Sequence, residues 1–363
     1  MNINDIIIYF LLVLMLAAAL DYACGNKLGL GAEFSKAFGA MGTLAIYMAG
    51  ILCIAPVAAA RLRFIIEPVY SFFGADCAMF AGSVIASDTG AYHLALSLTD
   101  NADAAAFSGL ILGSMLGLTI SFLIPYLFGV CKEESRPQIA KGVLTGIITI
   151  PLGCFIGGAA AGYNFLFMLK NLIPVILFSI AVSAGLFFAQ KTAIRIFLFF
   201  GKIVMFFLII SLAIASVEDA AGIVLIKGMT PIKEAFGIIG SIIIFLAGAF
   251  VLVRLLSKIL KQPLEKIGKK LNINDKSAEG LLAVLANTIA MAVLINDMDD
   301  KGKLLNAAFA VGAGFAFGDH FGFTAAVNKD MILPVVIGKL TAGFSALLLA
   351  LLVTAKTDKP LNA

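Results

Sequence analysis

The chain has 363 residues, of which 61% are hydrophobic and 13% are charged, and its formal net charge is +4. Because a soluble domain of this length exposes far more polar surface, the composition excludes a soluble globular protein and indicates an integral membrane protein. The sequence lacks a glycine-rich phosphate loop, a dinucleotide-binding fingerprint and zinc-ligand spacings, so we expect no enzyme, no cofactor and no metal site. The positive charge lies in loops and does not indicate a nucleic-acid partner.

Apolar runs long enough to cross a bilayer recur along the chain. They predict eleven spans, at 6–24, 39–60, 77–98, 104–130, 140–162, 165–190, 194–216, 234–257, 279–296, 304–327 and 331–355. Basic loops alternate with acidic or neutral ones; the basic loops are 61–64, 132–141, 190–195 and 254–270. The positive-inside rule then predicts a cytoplasmic N-terminus. We therefore expect an all-α polytopic membrane protein with about 10–11 transmembrane helices.

Internal similarity indicates a repeat. The segment "AFGAMGTLAIYMAG" at 37–50 resembles "AFGIIGSIIIFLAG" at 235–248, and spans four and ten each carry glycines four residues apart: Gly109, Gly113 and Gly117, then Gly314, Gly318 and Gly322. Residues four apart share a helix face, so each ladder is expected to be a helix-packing strip. We predict two related five-helix repeats, 1–162 and 194–363, joined by a linking helix at 163–193, and favour a parallel over an inverted arrangement.

One carboxylate interrupts the apolar segment "AGSVIASDTGAYHLALSL" at 81–98, with no lysine or arginine nearby. A charge at the bilayer centre costs at least about 2.5–3.5 kcal/mol, so Asp88 should face the protein interior, water or a cation. An organic cation is one natural partner; a structural carboxylate hydrogen-bonded to Ser or Thr, or a protonated one, is the alternative. In the second repeat Asn287 and Thr288 fall near the equivalent position, and the amide suits either a hydroxyl ligand or an interhelical hydrogen bond.

Several further titratable side chains lie in the predicted spans, and three of them are candidates for a role near the site. Asp319 and His320, within "GFAFGDHFGF" at 314–323, are candidates for gating or proton handling, with a structural polar bridge as the alternative. Adjacent residues point to different helix faces, so the two need not pair. Lys339 is expected to snorkel towards a membrane surface, although it could pair with a buried carboxylate.

Four segments together resemble the ethanolamine permease family, EutH, of bacterial ethanolamine utilisation. They are "FAGSVIASDTGAYHLA" (80–95), "GLILGSMLGLTISFLIP" (109–125), "GIITIPLGCFIGG" (146–158) and "FAVGAGFAFGDHFGFTAA" (309–326). The resemblance runs over nearly the whole chain and implies a multi-pass permease for ethanolamine in the bacterial cytoplasmic (inner) membrane.

A site near the membrane midplane, between the two repeats, follows from combining the resemblance with the polar residues. Asp88 is expected to bind the ammonium group, and Thr89, Asn287 and Thr288 the hydroxyl end. Facilitated uniport suffices, because the membrane potential already draws a cation inwards. The alternatives are a proton-coupled transporter of another small amine, using Asp319 or His320, and a channel-like pore for ammonium-type cations. The expected partners are ethanolamine and the lipid bilayer, and a homo-oligomer is left open.

Overall fold

The computed structural model describes residues 3–357, and regular structure in this range is entirely helical. The helices in chain order are α1 (Ile3–Ala23), α2 (Gly31–Phe72), α3 (Met79–Val84), α4 (Tyr92–Leu98), α5 (Ala102–Val130), α6 (Glu133–Ala160), α7 (Phe165–Phe188), α8 (Gln190–Ala221), α9 (Ile232–Leu271), α10 (Asp275–Ala286), α11 (Thr288–Leu294), α12 (Asp300–Ala313), α13 (Asp319–Val327) and α14 (Lys329–Thr354). Within the described range eight are long and apolar enough to cross a membrane: α1, α2, α5 to α9 and α14. The all-α polytopic fold class is confirmed.

Short polar caps separate the long helices. The Asn101 side chain accepts hydrogen bonds from the backbone N–H groups of Asp103 and Ala104 at the start of α5, and Asn164 does the same for Phe167 at the start of α7. Gly222 ends α8 in the left-handed conformation, with φ of 66°. The two asparagine side chains satisfy backbone N–H groups that a helix start leaves free, and Gly222 lets the chain turn away from α8.

The predicted third span, 77–98, is wrong as a crossing segment. Helices α3 and α4 pack against each other and are joined by extended residues at 85–86 and a π-helical turn, Ser87–Ala91. The two ends of the segment meet: Thr99 Oγ1 donates a hydrogen bond of 2.8 Å to Asp76 Oδ2, and Cys77 Sγ donates one of 3.1 Å to the Leu98 carbonyl. Residues 76–99 therefore form a re-entrant hairpin, called hairpin 1, with its tip at 85–90.

The predicted ninth span, 279–296, folds back in the same way. Its two helices, α10 and α11, pack together and are separated at Asn287. Asn274 Nδ2 donates to the Asp297 carbonyl at 2.9 Å, and the Asn274 N–H donates to Asp299 Oδ2 at 2.5 Å. A helix of 12 residues such as α10 reaches about 18 Å, well short of a hydrocarbon core of about 30 Å. Residues 274–299 form hairpin 2, with its tip at 286–288.

The predicted tenth span, 304–327, crosses but is interrupted at 314–318 between α12 and α13. Helix α12 packs on α6 and α14, whereas α13 packs mainly on α9. At the interruption the N–H groups of Phe315 and Phe317 donate to the carbonyls of Val284 and Leu285 in hairpin 2, each at 2.9 Å. The tip of hairpin 2 thus supplies the backbone partners that the broken helix lacks.

The two hairpins enter from opposite faces. At the base of hairpin 1 the Asp76 N–H donates to Asn171 Oδ1, near the start of α7, at 2.8 Å. The loop before α7 contacts the start of α14, through Tyr163 and Met331. The base of hairpin 2 bonds the end of α5, through Asn296 Nδ2 and the Val130 carbonyl at 3.1 Å. These ends define a hairpin 1 face, which also carries the start of α1, and a hairpin 2 face.

The described chain thus has nine crossing segments, the eight long helices and the broken α12–α13 segment, instead of the eleven that hydropathy predicts. Hydropathy measures the length of an apolar run, and it does not register a reversal in the middle. A parallel arrangement of the two halves requires their third spans to enter from the same face, so the opposite entry of the hairpins contradicts it.

The hairpins pack against the glycine ladders, and we call the surface on which each hairpin packs its seat. A Cβ atom at Gly109 would fall on the Tyr92 backbone, and one at Gly117 would fall on the Ile85 carbonyl, so both glycines admit the backbone of hairpin 1. In the same way Gly318 admits the Ala286 carbonyl of hairpin 2. The predicted packing role of the ladders is confirmed, and their partner is mostly re-entrant backbone instead of a straight helix.

We expect Gly117→Ala to destabilise the protein by about 1–3 kcal/mol, because the added methyl group meets backbone that cannot move aside without shifting hairpin 1. Thermal unfolding of the purified protein in detergent measures this. Gly129→Ala, on the same helix, is the control, because nothing lies within 4 Å of its Cβ position. Equal melting temperatures for the two variants would contradict the seating of hairpin 1 on α5.

Candidate functional site

Both hairpin tips lie against the interruption between α12 and α13. Ala86 of hairpin 1 forms a buried cluster with Leu118 and Phe315, against which Phe122 packs. On the other side of this cluster Gly314 borders the Thr288 hydroxyl of hairpin 2. The three breaks in helical structure therefore meet in one region of the interior, where irregular backbone is shielded by protein.

A chain of polar side chains, called the polar relay, runs inwards from the tip of hairpin 1. Asp88 Oδ1 lies 3.3 Å from His320 Nε2, and His320 Nδ1 lies 3.1 Å from Lys339 Nζ. Lys339 Nζ also donates a hydrogen bond of 2.5 Å to the Ser114 carbonyl. His320 and Lys339 are fully buried, whereas the Asp88 side chain keeps 16% of its surface exposed. Four elements, hairpin 1, α13, α14 and α5, are thereby linked.

Two expectations change here. Lys339 does not snorkel: its ammonium group is 0% exposed and is held by His320 and Ser114, so that prediction is wrong. Asp88 has a basic neighbour after all, His320, which is distant in sequence and could not be paired with it from spacing. Asp319 is half-buried at the start of α13 and, in the part of the chain that the structure describes, makes no hydrogen bond with His320.

The predicted hydroxyl-binding residues differ in how their own polar atoms are engaged. Thr89 Oγ1 donates to the Ala86 carbonyl at 3.1 Å, within its own tip. Asn287 Oδ1 accepts from the Ile289 N–H at 2.8 Å and so caps α11, which leaves its amide Nδ2 as the group able to donate elsewhere. Thr288 is fully buried and its hydroxyl has no hydrogen-bond partner among the described residues.

Some of the buried polar atoms that lack a hydrogen-bond partner within the described chain lie at or beside the hairpin tips. Ser87 Oγ, Asp88 Oδ1, Thr288 Oγ1 and His320 Nε2 are all buried and, among the described residues, lack an aligned hydrogen-bond partner. Buried polar groups are normally paired, so such a group marks a place for a polar ligand or water. Ser87 was missed by the sequence reasoning, although it directly precedes Asp88 in the "SDT" run. The helices α3, α10 and α12 point their C-terminal, partially negative ends towards these breaks, although the Val284 and Leu285 carbonyls of α10 already accept from Phe315 and Phe317.

Asp88 and Asn287, placed in one site by the sequence, occupy the tips of different hairpins. Their side chains do not contact each other within the described structure; Ala86, Leu118, Phe315 and Gly314 lie between the tips. The arrangement provides a carboxylate at one tip and a free hydroxyl at the other.

Comparisons with known proteins cover nearly the whole chain. A family model described as "Ethanolamine utilisation protein, EutH" matches residues 3–353. The chain is 46% identical to the "Probable ethanolamine permease EutH" of Listeria monocytogenes over 95% of this chain and 93% of that protein. It is 40% identical to the "Probable ethanolamine permease EutH" of Escherichia coli, over 99% and 97% of the two chains.

A further relative, "Uncharacterized protein YxeR" of Bacillus subtilis, is 40% identical over 100% of this chain and 99% of that protein. No solved structure matches the chain. A family model that spans all but the ends of the chain, together with relatives of this identity and coverage, identifies its family. The chain belongs to the EutH family of ethanolamine utilisation proteins.

Proposed function

We propose that this protein takes up ethanolamine, as its ammonium cation, across the bacterial cytoplasmic membrane. The observation that carries the proposal is the Asp88 carboxylate, which sits at the tip of a re-entrant hairpin beside unpartnered buried polar atoms. The names of the relatives support the choice of ethanolamine. Ethanolamine is a monovalent cation with one hydroxyl, and it matches a site with one accessible carboxylate and free hydroxyls.

The proposed binding mode uses both tips. The substrate ammonium donates charge-assisted hydrogen bonds to Asp88, with Thr89 beside the carboxylate. Because the apolar cluster separates the tips and ethanolamine is only two carbons long, its hydroxyl end reaches Thr288 and the free amide of Asn287 once a hairpin has moved and brought the tips together. A hydrogen bond to a charged group contributes about 1.5–3 kcal/mol, so Asp88 supplies the largest single part of the affinity. Asp319 and His320 remain candidates for gating.

A transporter suits the site better than a channel. The buried apolar cluster of Ala86, Leu118 and Phe315 separates the tips, and the stacked rings of Phe122 and Tyr126 continue from it. A channel for ammonium-type cations needs a continuous polar path, which this cluster interrupts. We propose that the substrate passes when a hairpin moves against the cluster, so that the site opens to one face at a time.

The two halves, 1–162 and 194–363, are proposed to be inverted repeats joined by a linking helix at 163–193. Support comes from the similar segments at 37–50 and 235–248, and from two hairpins that enter from opposite faces and rest on glycine ladders. Such a pair gives each half an equivalent gate, and the substrate site lies where the halves meet.

The orientation in the membrane follows from the corrected topology. Three of the four basic segments, 132–141, 190–195 and 254–270, lie towards the hairpin 2 face, as the contact of Gln190 Nε2 with the Arg136 carbonyl at 3.1 Å illustrates. The fourth, 61–64, lies in the half of α2 that ends at hairpin 1. With nine crossings the majority of the basic segments favours a cytoplasmic hairpin 2 face, and we propose that the N-terminus lies outside. This replaces the cytoplasmic N-terminus, which rested on eleven crossings.

We expect Asp88→Asn to lower the affinity for ethanolamine by about 10- to 100-fold, because the amide keeps the shape but loses the charge that the ammonium needs. Uptake of labelled ethanolamine into proteoliposomes, at matched protein content, measures the effect. Asp103→Asn, an exposed carboxylate at the start of α5, should transport like the parent. Unchanged uptake by Asp88→Asn would remove Asp88 from the site.

Thr288→Val should raise the KM for ethanolamine several-fold and leave inhibition by ethylamine unchanged, because only ethanolamine carries the hydroxyl that Thr288 is proposed to bind. Asn287→Ala should show the same preference, added to a loss of about 1 kcal/mol of stability from the missing cap of α11. Competition assays with the two amines separate these effects. Equal losses for both amines would mean that these residues only support the hairpin.

An inside-negative potential alone should accelerate entry, because a monovalent cation gains roughly 2.3 kcal/mol per 100 mV. Proteoliposomes with a potassium diffusion potential test this at equal pH on both sides. A pH gradient at clamped potential should act only through the protonated fraction of the substrate. Accumulation beyond that, abolished by His320→Ala, would instead establish proton symport.

The C-terminus should lie in the cytoplasm. A green fluorescent protein fused after Ala363 should fluoresce, and an alkaline phosphatase fused there should be inactive. An odd number of crossings with a cytoplasmic N-terminus predicts the reverse pair of results, so the two fusions together decide the orientation.

A further inference from the structure

We propose that Lys339 is a positioning residue: it holds His320 in the tautomer whose Nε2 carries the proton, and it keeps that ring neutral beside Asp88. The consequence for substrate binding rests on the proposed function, whereas the protonation of the ring can be measured without substrate.

The geometry around Lys339 leaves little freedom. The Ser114 carbonyl can only accept, so Lys339 must donate to it. An ammonium group has no acceptor, so the second contact, at 3.1 Å, requires His320 Nδ1 to be the acceptor. The ring proton then resides on Nε2, which faces Asp88 Oδ1 at 3.3 Å. A carbonyl at one end of the polar relay and a carboxylate at the other thus select one arrangement of protons.

The opposite tautomer conflicts with the surroundings. It needs a neutral Lys339 amine that accepts from Nδ1–H, and it turns the lone pair of Nε2 towards the Asp88 carboxylate. Two electron-rich atoms then lie 3.3 Å apart inside the protein, and a proton on Nε2 replaces their repulsion with attraction even though the contact is not an aligned hydrogen bond. Burial makes that repulsion costly, because the protein interior screens it less than water would.

Lys339 also sets the charge of the relay. The charged groups in reach of His320 are Asp88 at the hairpin tip and Lys339 on α14, with Asp319 as its chain neighbour on α13. The Lys339 ammonium group lies next to Nδ1, and its positive charge disfavours protonation of the His320 ring to a second cation. Without Lys339, His320 is free to become an imidazolium ion that pairs with Asp88. That internal cation would compete with the substrate ammonium for the same carboxylate.

Nitrogen-15 histidine spectra of the protein in bilayers test the inference, because the chain has only two histidines. His93→Gln leaves the signal of His320 alone. In this background we expect a neutral ring with a protonated Nε2 and an unprotonated Nδ1. Adding Lys339→Met should convert the ring to imidazolium or to mixed tautomers at the same pH, and Lys339→Arg should restore the parent spectrum. Lys202→Met, an exposed lysine on α8, is the matched control and should change nothing.

Transport gives a second readout. Lys339→Met should raise the KM for ethanolamine much more than it lowers kcat, because competition for Asp88 acts on binding. A protonated Nδ1 in the parent spectrum, or a spectrum unaltered by Lys339→Met, would overturn the inference. The parent spectrum decides the tautomer even where Lys339→Met fails to fold. If the parent protein gives the expected spectrum but does not transport ethanolamine, the proposed function is rejected and the inference about His320 stands.

Discussion

A backbone that breaks its helical hydrogen bonds inside a membrane must find other partners within the protein, and the architecture follows from this constraint. At the tip of hairpin 1 the Ala86 N–H donates to Ser121 Oγ at 3.1 Å. At the tip of hairpin 2 the Asn287 side chain caps α11. The preceding carbonyls, of Val284 and Leu285, accept hydrogen bonds from N–H groups of the broken α12–α13 segment. Each break is therefore satisfied by a neighbouring element. Glycines on α5 and at the α12–α13 interruption allow the close approach that these bonds require.

The same constraint explains why polar side chains collect where they do. Only a protein-lined interior tolerates a carboxylate at depth, and the hairpin tips create such an interior by excluding lipid. Asp88 and Lys339 lie on opposite sides of the His320 ring, so a carboxylate and an amine share a small buried volume without direct contact. Direct pairing of the two would satisfy both charges and leave nothing for a ligand. Separation by His320 keeps one carboxylate oxygen free to be approached from the tip.

Much of this could be predicted from the sequence, and the failures have clear causes. The isolation of Asp88 in an apolar run, the glycine ladders and the similarity of 37–50 to 235–248 were all visible in the linear pattern. The reversals were not, because Ile85 and Ala86 carry no turn signal and hydropathy averages over them. A hairpin counted as a crossing segment moves every later loop to the other face of the membrane. The positive-inside rule therefore gives a different orientation for nine crossings than for eleven. The contact of Lys339 with His320 depends on the packing of α14 against α13, for which a single sequence holds no signal.

The seating of the hairpins has a consequence for biosynthesis. Hairpin 1 (76–99) precedes its seat on α5 (102–130) along the chain, and hairpin 2 (274–299) likewise precedes the α12–α13 segment. Each hairpin therefore leaves the ribosome before the surface that shields its broken backbone exists. Its half-helices are too short to span the bilayer, so it must wait near the membrane surface or inside the insertion machinery until the next segment arrives. Each polar tip can therefore move into the protein interior only after the following helix has been made. Membrane insertion of this chain is thus completed in stages.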